Sequence, residues 1–154
     1  MAFRFEQKIL ISGSNSLLFK SWVIDNGGTK IHDDRTVTSI YFDNSALDLY
    51  TLSNEGSVPR KKIRLRCYDE LNKIGEFNRF EIKISSAEGR YKNISTVENT
   101  DSILKHGLLD KNYGICKPVV IVSYVRSYYK IFELRVTIDK NIKYKKYTSN
   151  IHKT

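Results

Sequence analysis

Apolar residues recur at every second position through much of this chain, the spacing that gathers them on one face of an extended strand. Phe3, Phe5, Ile9 and Ile11 alternate with Arg4, Glu6 and Lys8, which predicts a strand over Phe3–Ile11 with a charged face. Ser14 or Asn15 is placed to cap a helix running through Leu17, Leu18, Trp22 and Val23 and packing on the sheet, with Gly27 and Gly28 stopping it. Val37–Asp43 is β-branched and aromatic, and Asn44, Ser45 and Asp48 suit a turn into a short helical segment near Tyr50.

The most informative stretch follows Pro59. In RKKIRLRCY (60–68), Lys62, Arg64 and Arg66 share one face while Ile63, Leu65 and Cys67 share the other. Glu76–Ser85 repeats the arrangement, with Arg79, Glu81 and Lys83 opposed to Phe80, Ile82 and Ile84. Thr100–His106 reads as a short helix ended by Gly107, and Asn112–Pro118 as a connection. Val119–Tyr129 is a long strand with Tyr124, Arg126 and Tyr128 on one face, and Phe132–Asp139 another with Arg135, Thr137 and Asp139. A short strand around Ile142–Tyr147 completes about six strands with two or three helices, most simply an α+β fold on a largely antiparallel sheet.

Length and composition sharpen this. The chain has 154 residues, which suits one domain over 1–154. Hydrophobic residues at 40% and charged residues at 28% are those of a globular chain, which excludes wholesale disorder. Lys and Arg number 26 against 17 Asp and Glu, a net charge of +9 that attracts anions: nucleic acid, anionic lipid or phosphorylated small molecules. Cys67 and Cys116 are too few and too far apart for a zinc cluster or a disulfide framework, which points to a reducing compartment. MAFRFEQKIL lacks the continuous apolar run of a signal peptide or membrane span, so a soluble, cytoplasmic protein is expected. His32, His106 and His152 have no metal-ligand spacing, and Tyr41 and Phe42 suit a core.

On one strand, Lys and Arg opposite an apolar face mean ordinary solvent exposure. Here five strands repeat the pattern. Closed into a barrel, such strands would turn their basic side chains inward, where a highly charged anion compensates their repulsion. Polyphosphate supplies that charge, and an inward Glu6 or Glu81 is suited to hold a divalent cation bridging its oxygens.

The segments RFEQK (4–8), VTSIYFDN (37–44), RKKIRLRCY (60–68), RFEIKIS (79–85), SYVRSYY and LRVTID (within 123–139) stand in an order and spacing that resembles the VTC domain of polyphosphate polymerases. That family lies within the CYTH, or triphosphate tunnel metalloenzyme, superfamily. The resemblance implies an antiparallel β-barrel tunnel flanked by helices, with Lys8, Arg64, Arg66, Lys83, Arg126 and Arg135 as phosphate-binding residues. Lys92 and the co-facial Lys62 would join them. Arg64, Arg66, Lys83, Arg126 and Arg135 would carry catalysis, and Glu6 and Glu81 would hold Mn2+ or Mg2+.

The implied reaction moves the terminal phosphoryl group of ATP to a polyphosphate chain. Its nucleophile is itself a phosphate, so no protein base is required. A triphosphate hydrolase of the same superfamily is one alternative; a basic β-sheet module for RNA or DNA is another, without a recognisable nucleic-acid motif. The family continues beyond LRVTID into a strand with a Glu and Lys pair, for which the sequence to Thr154 offers no match. A truncated chain, a short member that binds without catalysing, or closure by a second chain would each account for this; for the 154 residues themselves an incompletely closed barrel that binds better than it catalyses is expected.

Overall fold

The computed structural model describes residues 6–68 and 79–148. In chain order the elements are α1 (Gly13–Asp25), β1 (Thr29–Asp43), α2 (Asp48–Glu55), β2 (Arg60–Cys67), β3 (Arg79–Ser86), β4 (Gly89–Thr96), α3 (Thr100–His106), β5 (Leu108–Asp110), β6 (Gly114–Ile131) and β7 (Leu134–Lys146). The fold is α+β. Seven antiparallel strands form one sheet in the order β4-β3-β2-β1-β6-β5, with β7 pairing β6, and among the described residues hydrogen bonds do not close it into a barrel.

The chain divides into two compact units, Met1–Arg35 with Val125–Asn141, and Thr36–Tyr124 with Ile142–Thr154. In the second unit the apolar sides of the strands are buried. Phe42 opposes Ile63 and Ile40 opposes Leu65 across β1 and β2, while Ile63 opposes Ile82 and Leu65 opposes Phe80 across β2 and β3. Leu49 of α2, Leu104 of α3, Cys116 and Ile121 complete this core. Each fully buried Ile or Leu contributes about 1.5–3 kcal/mol.

The FDN portion of VTSIYFDN is structural. Buried Asp43 accepts hydrogen bonds from the backbone N–H groups of Leu49 (3.0 Å) and Tyr50 (2.9 Å), fixing the first turn of α2. The Asn44 side chain accepts from the Asp48 N–H at 3.1 Å. Asn99 caps α3 by accepting from the Ser102 N–H at 2.9 Å.

In the first unit, Ser12 rather than Ser14 or Asn15 caps α1, and Gly27 leaves the helix at φ 83°. The helix packs through Phe19 and Val23 onto Tyr129, Ile131 and Ile138. Leu17, Leu18 and Trp22 are exposed instead.

The strand expected over Phe3–Ile11 is not found in its described part. Phe3, Arg4 and Phe5 lie outside the described residues; residues 6–12 form no regular element and are exposed. The alternation lapses between Phe5 and Ile9 and is broken by Leu10, so no second apolar face is available to dock. Residues 76–78 of another expected strand also lie outside the described residues.

β1 begins at Thr29, earlier than expected. β4 and β5 were not anticipated, and Asn112–Pro118, expected as a connection, supplies the start of β6 from Gly114. Leu108 there opposes Cys116. The separate strands expected at Phe132–Asp139 and Ile142–Tyr147 are one, β7, with Asn141 at φ 54° within it.

Candidate functional site

The site begins with the register of three strands in the second unit. Lys62 opposes Lys83, Arg64 opposes Glu81, and Arg66 opposes Arg79 across β2 and β3. Across β3 and β4, Lys83 opposes Lys92, Glu81 opposes Ile94 and Ser85 opposes Arg90. Tyr41 and Ser39 of β1 oppose Arg64 and Arg66. Directly paired residues project to the same side of a sheet, so β2, β3 and β4 present eight cations and a single carboxylate on one face. Like charges directly opposite one another destabilise a sheet, and the row Lys62–Lys83–Lys92 is such an arrangement.

Glu81 is the anion around which this face is organised. Its side chain is 1% exposed and lies within 4 Å of four cations: Arg64, Arg66, Arg79 and Lys92. Arg64 donates from Nε to Oε2 at 2.7 Å, and Arg79 Nε and Lys92 Nζ donate to Oε1 at 3.0 and 2.9 Å. Burial alone would raise the Glu81 pKa. The hydrogen bonds from Lys92 and Arg64, with the charges of Arg64 and Arg66, outweigh it and hold the carboxyl at about 2.

Hydroxyl groups aim the two central arginines. Arg64 Nη1 donates to the Tyr41 hydroxyl at 3.0 Å; Arg66 donates from Nε to Ser39 Oγ at 3.1 Å and from Nη2 to the Tyr124 hydroxyl at 3.2 Å. Burial would raise the Tyr41 pKa, but the neighbouring Arg64 charge and hydrogen bond lower it. The Arg64 pKa rises because Tyr41 and Glu81 outweigh the opposing effect of burial.

Five of the expected phosphate-binding residues therefore come together here: Arg64, Arg66 and Lys92 around Glu81, with Lys62 and Lys83 on the same face. Arg126 and Arg135 belong to the first unit. There Arg126 makes a two-point ion pair with Asp139, Nε to Oδ1 at 2.6 Å and Nη2 to Oδ2 at 2.7 Å. The Arg135 guanidinium lies 5.6 Å from the centre of the Tyr128 ring. Lys8 and Glu6 sit on the exposed stretch before α1, on no strand.

Sequence reasoning missed Arg79, Ser39, Tyr41 and Tyr124 as site residues. Arg79 carried a usable signal, since it alternates in phase with Glu81. Tyr41, expected in the core beside Phe42, instead faces Arg64.

Among the described residues the surroundings of Glu81 do not suit a protein-held Mn2+ or Mg2+. Hard divalent cations collect several oxygen ligands. Both Glu81 oxygens already accept from cations whose combined charge repels another. No group of three or more His, Cys, Asp and Glu suited to a metal occurs among the described residues. No helix among them is long and apolar enough to cross a membrane.

The family described as the VTC domain matches residues 3–154, so the chain belongs to the VTC domain family. That membership ties it to polyphosphate-related function. Among curated proteins, none matches the chain.

Proposed function

We propose that this VTC domain protein binds the phosphate chain of a triphosphate or of inorganic polyphosphate on the cationic face of β2, β3 and β4. The observation that carries the reading is the Glu81 cluster, four cations within 4 Å of one buried carboxylate. Four cations share one carboxylate among the described residues, an imbalance that an external polyanion would neutralise. Guanidinium forks and lysine ammonium groups suit successive phosphate oxygens.

In this reading the protein is a phosphotransferase that moves the terminal phosphoryl group of ATP to a polyphosphate end. Arg64, Arg66 and Lys83 hold the phosphates in line and screen their charge while a phosphate oxygen attacks. A hydrolase using water in place of the phosphate acceptor would use the same face.

A sheet that binds single-stranded nucleic acid stacks bases on exposed aromatic rings. On this face the hydroxyls of Tyr41 and Tyr124 are engaged by Arg64 and Arg66, and the exposed ring of Tyr68 already carries the Arg79 guanidinium 5.7 Å from its centre. Exposed Tyr91 pairs with Ile84 and so projects to the other side. These positions favour a phosphate chain over nucleic acid.

Calorimetric titration with tripolyphosphate tests the binding. Loss of both central guanidinium groups in an Arg64→Ala, Arg66→Ala protein should weaken binding by ~100-fold or more, at about 1.5–3 kcal/mol per charge-assisted contact. Unchanged affinity in the folded double variant would sink the assignment. Gel analysis after incubation with ATP and Mn2+ separates the reactions: long chains mark the transferase, released phosphate alone the hydrolase.

A further inference from the structure

We propose that Arg35, which neither the resemblance nor the alternation of charges implicates, is a phosphate-binding residue presented together with Arg135 on the ring of Tyr128. The proposal concerns the first unit alone and takes only its ligand class, a phosphate group, from the function proposed above.

Tyr128 lies on β6 and is 4% exposed, so its ring is held in place by the fold. Two guanidinium groups converge on it from different strands. Arg35 of β1 lies 5.9 Å from the ring centre and Arg135 of β7 lies 5.6 Å from it. His32 packs edge-on against the same ring at 5.5 Å.

Both arginines are exposed. Among the described residues, the cation–π contact with Tyr128 is the interaction that Arg35 and Arg135 make, with no carboxylate in ion-pair range. The nearby carboxylate on β7, Asp139, is committed to Arg126 at both oxygens. Two like charges gathered on one ring repel, and a ring face offsets only part of that repulsion. What remains is two guanidinium forks with their N–H groups unspent, oriented by a rigid platform. Each fork suits the oxygens of a phosphate group, and two forks flanking one ring from the strands on either side of β6 suit successive phosphates of a chain. Around Glu81 an internal carboxylate already sits among the cations; beside Tyr128 no carboxylate of the described residues pairs with Arg35 or Arg135, which leaves room for an anion from outside.

The test compares Arg35→Ala, Arg35→Lys, Tyr128→Phe and Tyr128→Leu proteins, each checked for folding by circular dichroism, with tripolyphosphate and ATP as probes. Arg35→Ala should weaken both probes on the order of tenfold and lower the dependence of log affinity on log salt by about one contact. Arg35→Lys should restore the salt dependence but only part of the affinity, because an ammonium group neither stacks nor forks. Tyr128→Phe keeps the ring and should bind like the native protein, whereas Tyr128→Leu should match Arg35→Ala. In 15N-labelled native protein, the arginine Nε–H resonance missing from Arg35→Ala should shift on adding tripolyphosphate.

Unchanged affinity and salt slope in Arg35→Ala overturn the proposal, as does a loss confined to ATP, which would mean that the nucleoside is being read. The two readings fail separately. If Arg64→Ala, Arg66→Ala abolishes binding while Arg35→Ala does not weaken it, the cationic face stands and this site falls. The reverse pattern keeps this site and removes the other, and native protein that binds neither probe removes both.

Discussion

Replacing Glu81 by Gln keeps the shape of the side chain and removes the charge that four cations share. The carboxyl is held at about 2 against an ordinary value of 4.5. A depression of that size corresponds to about 3 kcal/mol of folding stability at neutral pH, at roughly 1.4 kcal/mol per pKa unit. Because the folded-state pKa is the lower one, the contribution is fully present above the unfolded value of 4.5 and disappears as pH falls through about 2. Urea titrations of native and Glu81→Gln protein should therefore differ by about 3 kcal/mol at pH 7 and by only about 1 kcal/mol at pH 3.

The comparison cancels other carboxylates, which titrate equally in both proteins. Tripolyphosphate should stabilise the variant more than the native protein, since it supplies an anion to cations left uncompensated. Mn2+ alone should stabilise neither in preference. A stability gap that stays constant from pH 7 to pH 3 would refute the idea that the ionised carboxylate holds this face together. Loss of an Mn2+ effect on substitution would restore Glu81 as a metal ligand.

Two further perturbations probe the framework. On the core side of β2, Lys61 and Asp110 form an ion pair at 2.6 Å with side chains only 16% and 7% exposed, so Asp110→Asn should cost about 3 kcal/mol in chemical denaturation. Adding Lys61→Met should recover most of that loss, because the stranded ammonium group goes with it. A Cβ at Gly28 would stand 2.4 Å from the Val23 carbonyl oxygen and 2.5 Å from its Cγ1. Gly28→Ala should thus destabilise the protein by about 1–3 kcal/mol in a thermal melt, and an unchanged melt would show that the Gly28 backbone relaxes freely.

The faces of β2 and β3 were legible because a period of two is unambiguous when Ile63, Leu65, Ile82 and Ile84 mark the buried side. Their register was not. Nothing in the sequence between Tyr68 and Arg79 says that Arg64 rather than Lys62 will oppose Glu81, and that single choice determines which cations share the carboxylate. β4 escaped notice because GRYKNIST mixes polar and apolar residues on both sides, as an exposed strand at the end of the sheet allows. Tyr41 illustrates a different limit: an aromatic in a β-rich run signals burial, whereas the role of its hydroxyl depends on the strand alongside.

Arg64 and Arg66 share a face but differ in how many N–H groups they have left, and this separates their roles. A guanidinium carries five N–H donors. Arg64 directs Nε and Nη2 at Glu81 and Nη1 at Tyr41. Arg66 directs Nε at Ser39 and Nη2 at Tyr124, while its Nη1 stands 3.9 Å from Glu81, beyond hydrogen-bond distance. The first is chiefly a partner of the internal carboxylate; the second is a buried cation aimed by hydroxyl groups that carry no charge. An anion entering the face gains most where a guanidinium has unspent donors and no direct counter-ion. Arg64→Ala should therefore cost more stability, about 3 kcal/mol for breaking a buried pair, with the smaller loss of tripolyphosphate affinity. Arg66→Ala should weaken tripolyphosphate by roughly tenfold to a hundredfold at a smaller cost in stability. Urea denaturation and calorimetry on the same preparations measure both quantities. If Arg64→Ala loses more affinity and Arg66→Ala more stability, the donor count does not determine where the phosphate binds.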